Sequence, residues 1–152
     1  MINRTRVFGG MAVAFALVAS MGLVACGGGS PSYKDGTYTG QSAVFEDEDG
    51  GNGNGYGVAT VTIKDGKIAA CEFKTYEPDG TLKEGTEYGM VNGKIGNQDY
   101  YNKAQKALAA NPIYCQQLVD TGMLEGVDVV SGATISYGEF QEAVQYALDQ
   151  AK

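Results

Sequence analysis

The sequence predicts an α+β domain, a small antiparallel sheet packed with helices. Three observations lead there. Val58 to Tyr76 alternates about a two-residue turn signal, Asp65-Gly66. Two stretches beyond residue 97 repeat apolar residues at helical spacing. The chain after its first 33 residues is about 120 residues long, which suits one domain with one modest core.

Residues 1–25 carry no part of that core. Arg4 and Arg6 form a positive start, Val7 to Ala19 is largely apolar, and Leu23-Val24-Ala25-Cys26 resembles a bacterial lipobox. A lipoprotein signal peptide is therefore expected over 1–25, with Cys26 lipidated and residues 26–33, including Gly27-Gly28-Gly29-Ser30-Pro31-Ser32, acting as a flexible tether. A retained membrane span is disfavoured, because Val7 to Ala25 contains Gly9, Gly10, Ser20 and Gly22 and is short for a stable span. The domain itself is expected over 34–152.

Thr37 to Phe45 reads as the first strand. Glu46 to Gly55 follows as an acidic, glycine-rich mobile loop. Its Gly-Gly-Asn-Gly-Asn run is a poor match to a single calcium-binding repeat, and no EF-hand ligand set fits, so a solvated loop is the reading and no metal is expected. Val58 to Lys64 and Lys67 to Tyr76 then form the hairpin. With a two-residue turn, Ile63 opposes Ile68 and Val61 opposes Ala70, while Val58 opposes Phe73 and Thr60 opposes Cys71 on the other face. Both faces are then partly apolar, which calls for helices on at least one side and a partly covered second side.

Glu77-Pro78-Asp79-Gly80 is a turn, and the chain to Asn97 lacks a sustained period. Helical spacing resumes over Gln98 to Ala110 through Tyr101, Ala104, Ala107 and Leu108. Asn111-Pro112 predicts a break, with a restart at Pro112 and an end before Gly122. Gly126 to Val130 is expected as a short strand or extended segment. Ser136-Tyr137-Gly138-Glu139 fits a capping box, so a last helix is expected to begin there, with Phe140, Ala143, Val144, Ala147, Leu148 and Ala151 on its apolar face.

Composition excludes whole classes of chemistry. The chain has no histidine and three cysteines, so Ser-His-Asp and Cys-His catalysis and histidine metal sites are unavailable, and Cys71 and Cys115 are too few for a thiolate zinc site. Those two are either a disulfide or a pair of buried thiols. The net charge is −7, and loss of residues 1–25, which hold two of the eleven basic residues and none of the eighteen acidic ones, leaves about −9. Nucleic acid is not a partner of such a surface, and attachment to a bilayer falls to the acyl anchor.

The segment Asp128-Val129-Val130-Ser131-Gly132-Ala133-Thr134-Ile135-Ser136 carries the chemistry. Gly132 and Ala133 let backbone amides approach a phosphate, Gly132 can take positive φ, and Thr134 offers an exposed hydroxyl beside a helix start, where anions are attracted. This segment, with its aspartate, two variable residues and Ser-Gly-Ala-Thr before a helix, resembles the attachment site of the FMN-binding domain family, over most of residues 34–150.

That resemblance implies the FMN-binding domain type of α+β fold and a covalent FMN joined through its phosphate to Thr134. Ser131, Gly132 and Ala133 would shape the loop, and Asp128 and Ser136 would support its recognition and geometry. A separate flavin transferase using FAD and Mg²⁺ would attach the group. The resemblance further implies an extracytoplasmic lipoprotein carrying electrons between a membrane quinone pool or another redox partner and an acceptor, more a carrier than a stand-alone enzyme. The competing readings are a lipoprotein that binds flavin or another small ligand noncovalently, and a surface protein with no cofactor. Tyr100, Tyr101 and Tyr137 lie in or near segments expected around the loop and are weaker candidates for stacking on a flavin ring.

Overall fold

A computed structural model describes residues 32–47 and 53–152. The expected signal peptide, Cys26 and the centre of the acidic loop lie outside the described residues. Three strands, β1 (Gly36–Gln41), β2 (Tyr56–Lys64) and β3 (Lys67–Tyr76), form an antiparallel meander in the order β1-β2-β3. Two helices follow, α1 (Gln98–Thr121) and α2 (Thr134–Gln150), separated by a short 3₁₀ turn at Leu124–Gly126. The architecture is the expected small α+β fold.

The hairpin turn forms as its residues demand. Asp65 and Gly66 take φ of 53° and 71°, the paired positive angles that match the twist of the flanking strands. Asp35 fixes the turn from outside, its carboxylate accepting the amides of Asp65 at 3.1 Å and Gly66 at 2.9 Å. Those bonds hold the Asp35 carboxyl below the usual carboxylate range.

Beyond the turn, the register departs from expectation. Ile63 opposes Ile68, but an irregularity next to it leaves Ala69 without an opposite residue, so Val61 meets Cys71 and Ala59 meets Phe73. A one-residue bulge reverses the face of everything after it. Ala59, Val61, Ile63, Ile68 and Phe73 are thereby all buried in one core. The sheet is two-faced rather than apolar on both sides. Its outer surface carries Thr37 against Thr62 and Thr39 against Thr60, with hydroxyl oxygens 3.4 and 3.3 Å apart. β1 is also shorter than expected, Phe45 making only an isolated bridge to Gly55 that closes the base of the acidic loop.

Both helices pack on the inner face, α2 across β1 and β2, and α1 along β3. Close approach requires Gly40, because a Cβ there would stand 2.0 Å from the Ala143 carbonyl oxygen. Phe140, Ala143, Val144, Ala147 and Leu148 form the buried stripe of α2 as the spacing predicts. Phe140 meets Phe73 edge to face, with ring centres 5.2 Å apart. Burying such a side chain contributes about 1.5–3 kcal/mol.

α1 corrects the expected break at Asn111-Pro112. It is one helix of 24 residues with Pro112 inside it. Pro112 gives up one backbone bond and crowds the preceding turn, a cost of about 3 kcal/mol in a helix interior. Packing of Ala110, Asn111, Tyr114, Cys115 and Leu118, all buried across the proline, opposes that cost. The ends follow local rules: the Asn97 side chain accepts the Tyr100 amide at 3.0 Å, and Gly122 stops the helix at φ 70°. Among the described residues no helix is long and apolar enough to cross a membrane.

Candidate functional site

The segment from Val127 to Ala133 is extended chain closed by a tight turn, not a strand, and it takes its shape from the helices on either side. Gln117 Oε1 accepts the Asp128 amide at 2.6 Å. Tyr114, fully buried on α1, donates its hydroxyl to the Ala133 carbonyl at 3.1 Å and accepts the Val130 amide at 3.3 Å. From α2, Tyr137 donates to the Val127 carbonyl at 2.7 Å and is itself held by Gln141 at 2.9 Å. Burial pushes the Tyr114 phenol above its ordinary range, so it stays protonated and keeps its donor role.

Within that frame the turn completes itself. The Ala133 amide donates to the Val130 carbonyl at 3.0 Å, and Gly132 takes φ 84°, an angle that favours glycine. Ala133 is buried and serves as the N-cap of α2, its carbonyl receiving the first helical bond from the Tyr137 amide at 2.9 Å. Thr134 is consequently the first residue of the helix, exposed, with Ser131 and Gly132 exposed before it. Asp128 is exposed at the other end of the segment.

The expected capping box is not formed. Helix α2 begins two residues earlier than Ser136, and no side chain among the described residues caps it. Ser136 is buried and donates its hydroxyl to Asn111 Oδ1 at 2.7 Å, while Asn111 Nδ2 reaches Thr75 Oγ1 at 3.5 Å. This chain of polar groups ties β3, α1 and α2 together in the interior, and it gives Asn111 a role that its helix-breaking sequence context hides. Glu139, the other half of the expected box, is 6 % exposed, and its Oε1 has no partner among the described residues. Burial raises its carboxyl to about 7, opposed by the Lys83 charge and reinforced by Glu77. Lys83 itself is buried, donates to the Asn54 carbonyl at 2.6 Å and lies 5.7 Å from the Tyr88 ring centre.

The arrangement suits a phosphate ester. An uncapped helix start with no acidic residue in its first turn leaves the positive end of the helix dipole uncompensated. A cation stands beside it: a Cβ on Gly132 would lie 3.4 Å from Lys106 Cδ and 3.9 Å from its Nζ. The candidate residues Asp128, Ser131, Gly132, Ala133 and Thr134 thus lie along one surface loop, while Ser136 sits beneath it in the core. Val129 and Ile135, 51 % and 40 % exposed, add apolar surface to the same segment. Of the tyrosines, Tyr137 is committed to the loop frame, Tyr101 donates to the Thr86 carbonyl at 3.1 Å, and Tyr100 neighbours Tyr88. Tyr114 and Gln117, the residues that hold the loop, were not singled out from sequence; their only trace there is polar atoms spaced with Asn111 along one side of α1.

Among the described residues no group of three or more His, Cys, Asp or Glu side chains is placed to hold a metal. A family model described as FMN-binding domain matches residues 51–149, which include the whole segment from Asp128 to Ser136. Among solved structures, the crystal structure of the CPE2226 protein from Clostridium perfringens is similar in fold, with a TM-score of 0.54 and 21% identity over 78% of this chain and 88% of that one. No curated protein matches.

Proposed function

We infer that this chain, which belongs to the FMN-binding domain family, carries FMN covalently through a phosphoester to Thr134 Oγ and works as an electron carrier. The observation that supports this most is the position of Thr134: an exposed hydroxyl on the first residue of an uncapped helix, directly after a positive-φ glycine. When bound, FMN supplies one- and two-electron redox chemistry that the side chains of this chain lack. The protein's own contribution is placement. Gly132 permits the turn, the first turn of α2 and Lys106 offset phosphate charge, and Tyr114, Gln117 and Tyr137 keep the loop in one shape for a transferase that uses FAD and Mg²⁺. Asp128 and Ser131 stand exposed where such an enzyme would read them.

The residues before Ser32 extend the proposal. Cleavage before Cys26 and acylation of its thiol would hang the domain from the outer side of a bacterial membrane, within reach of quinone-linked donors or other redox partners. Covalent attachment has a physical rationale there, since a tethered cofactor cannot diffuse away. Co-expression with a flavin transferase, followed by denaturation in detergent and electrophoresis, tests the reading. Flavin fluorescence should travel with the chain. Fluorescence lost from the denatured chain would indicate noncovalent binding, and a colourless protein would indicate a surface protein without the cofactor.

A further inference from the structure

Cys71 on β3 and Cys115 on α1 are 44 positions apart in sequence, yet their sulfur atoms lie 2.8 Å from one another. The sequence leaves open whether they pair. Two structural accidents bring them together. The bulge at Ala69 turns Cys71 to the inner face opposite Val61, and the continuation of α1 through Pro112 carries Cys115 onto the face that packs against β3. Had the helix broken at Asn111, or had the register run on without the bulge, the two would point apart. Cys115 is buried, Cys71 is partly exposed, and both line a surface groove of about 400 Å³ with Pro112, Gln116 and Val119.

We propose that Cys71 and Cys115 form an intramolecular disulfide that ties β3 to α1 behind the attachment loop. Two S–H bonds break, one S–S bond forms, and two electrons with two protons pass to an external disulfide of the glutathione class, which leaves as two thiols. The link adjoins Tyr114, so it fixes the helix that carries the principal anchor of the loop. It also closes a long segment of chain, where cross-linking restricts the unfolded state most. Contact with Cys115 and burial hold the Cys71 thiol well above the ordinary cysteine range. A thiol this reluctant to ionise is a poor leaving group, so attack on the bond by external thiols is slow once it is made. The inference stands apart from the flavin reading, because it needs neither Thr134 nor FMN.

The full chain, purified in detergent without flavin, is incubated with oxidised glutathione, blocked with N-ethylmaleimide and mapped without reduction. The expected product is a Cys71–Cys115 cross-linked peptide, with no alkylating reagent on either cysteine. Dithiothreitol should then lower the midpoint of thermal unfolding by on the order of 10 °C, and Cys71→Ala should lose that response. Alkylation of Cys71 and Cys115 after oxidation, or glutathione adducts on either, would overturn the proposal, whatever the stability of the variant.

Discussion

Replacing Glu139 by glutamine should change how stability depends on pH. Glu139 is 6 % exposed, its Oε1 has no partner among the described residues, and burial lifts its carboxyl from 4.5 to about 7. Between those values the folded state holds a proton that the unfolded state has released. Stability from this group is therefore complete below pH 4.5, falls as pH rises toward 7 and is level above that. At about 1.4 kcal/mol per pH unit of separation, the full loss is about 3 kcal/mol, most of which falls between pH 5 and pH 8. Lys83 opposes the effect and Glu77 adds to it, while Lys83 already donates to the Asn54 carbonyl and cannot serve Glu139 alone. Glu139→Gln removes the titration and keeps the shape. Urea unfolding of both proteins at pH 5 and pH 8 isolates this group, because every other carboxylate is common to both. The variant should gain roughly 2–3 kcal/mol on the wild type between the two conditions. An unchanged difference would refute the burial argument, and a wild type that gains on the variant with rising pH would show Glu139 ionised and paired instead.

Two further substitutions probe the frame of the loop. Tyr114→Phe removes the hydroxyl shared by the Ala133 carbonyl and the Val130 amide, so it should cost about 1–3 kcal/mol in urea unfolding and slow flavin transfer at fixed transferase concentration; transfer at the wild-type rate would show that the anchor does not position Thr134. Asn111→Ala strips partners from Ser136 and Thr75 in the interior and should cost about 2 kcal/mol, measured by the same unfolding curve, where a neutral result would mean that the network contributes nothing net.

Legibility in the sequence divides by the range of the forces involved. Asp65-Gly66 announced its hairpin because both turn residues need positive φ, and Gly122 announced the end of α1 for the same local reason. The bulge at Ala69 has no local signature, so the pairing was right at Ile63 and wrong from Val61 onward. Asn111-Pro112 looks like a helix break because the local cost is real; burial of Asn111, Tyr114, Cys115 and Leu118 overrides it, and that burial depends on elements far away in sequence. Ser136 and Glu139 have capping-box spacing, but the helix starts where Ala133 is buried, which moves both residues inside. The exposed position of Thr134 beside a helix start was legible because the segment around it is contiguous. Tyr114 and Gln117 were not, since what they hold lies more than ten residues away and nothing local marks them.

The central claim is that Thr134 Oγ carries the flavin. The mature domain co-expressed with a flavin transferase, then denatured, is measured for intact mass and mapped by peptide, beside a Thr134→Ala control whose helix content is checked. The account predicts an adduct of FMN size on the peptide holding Thr134, absent from the control. An unmodified chain, or an adduct that persists in Thr134→Ala, while a known substrate is flavinylated in parallel, would contradict it.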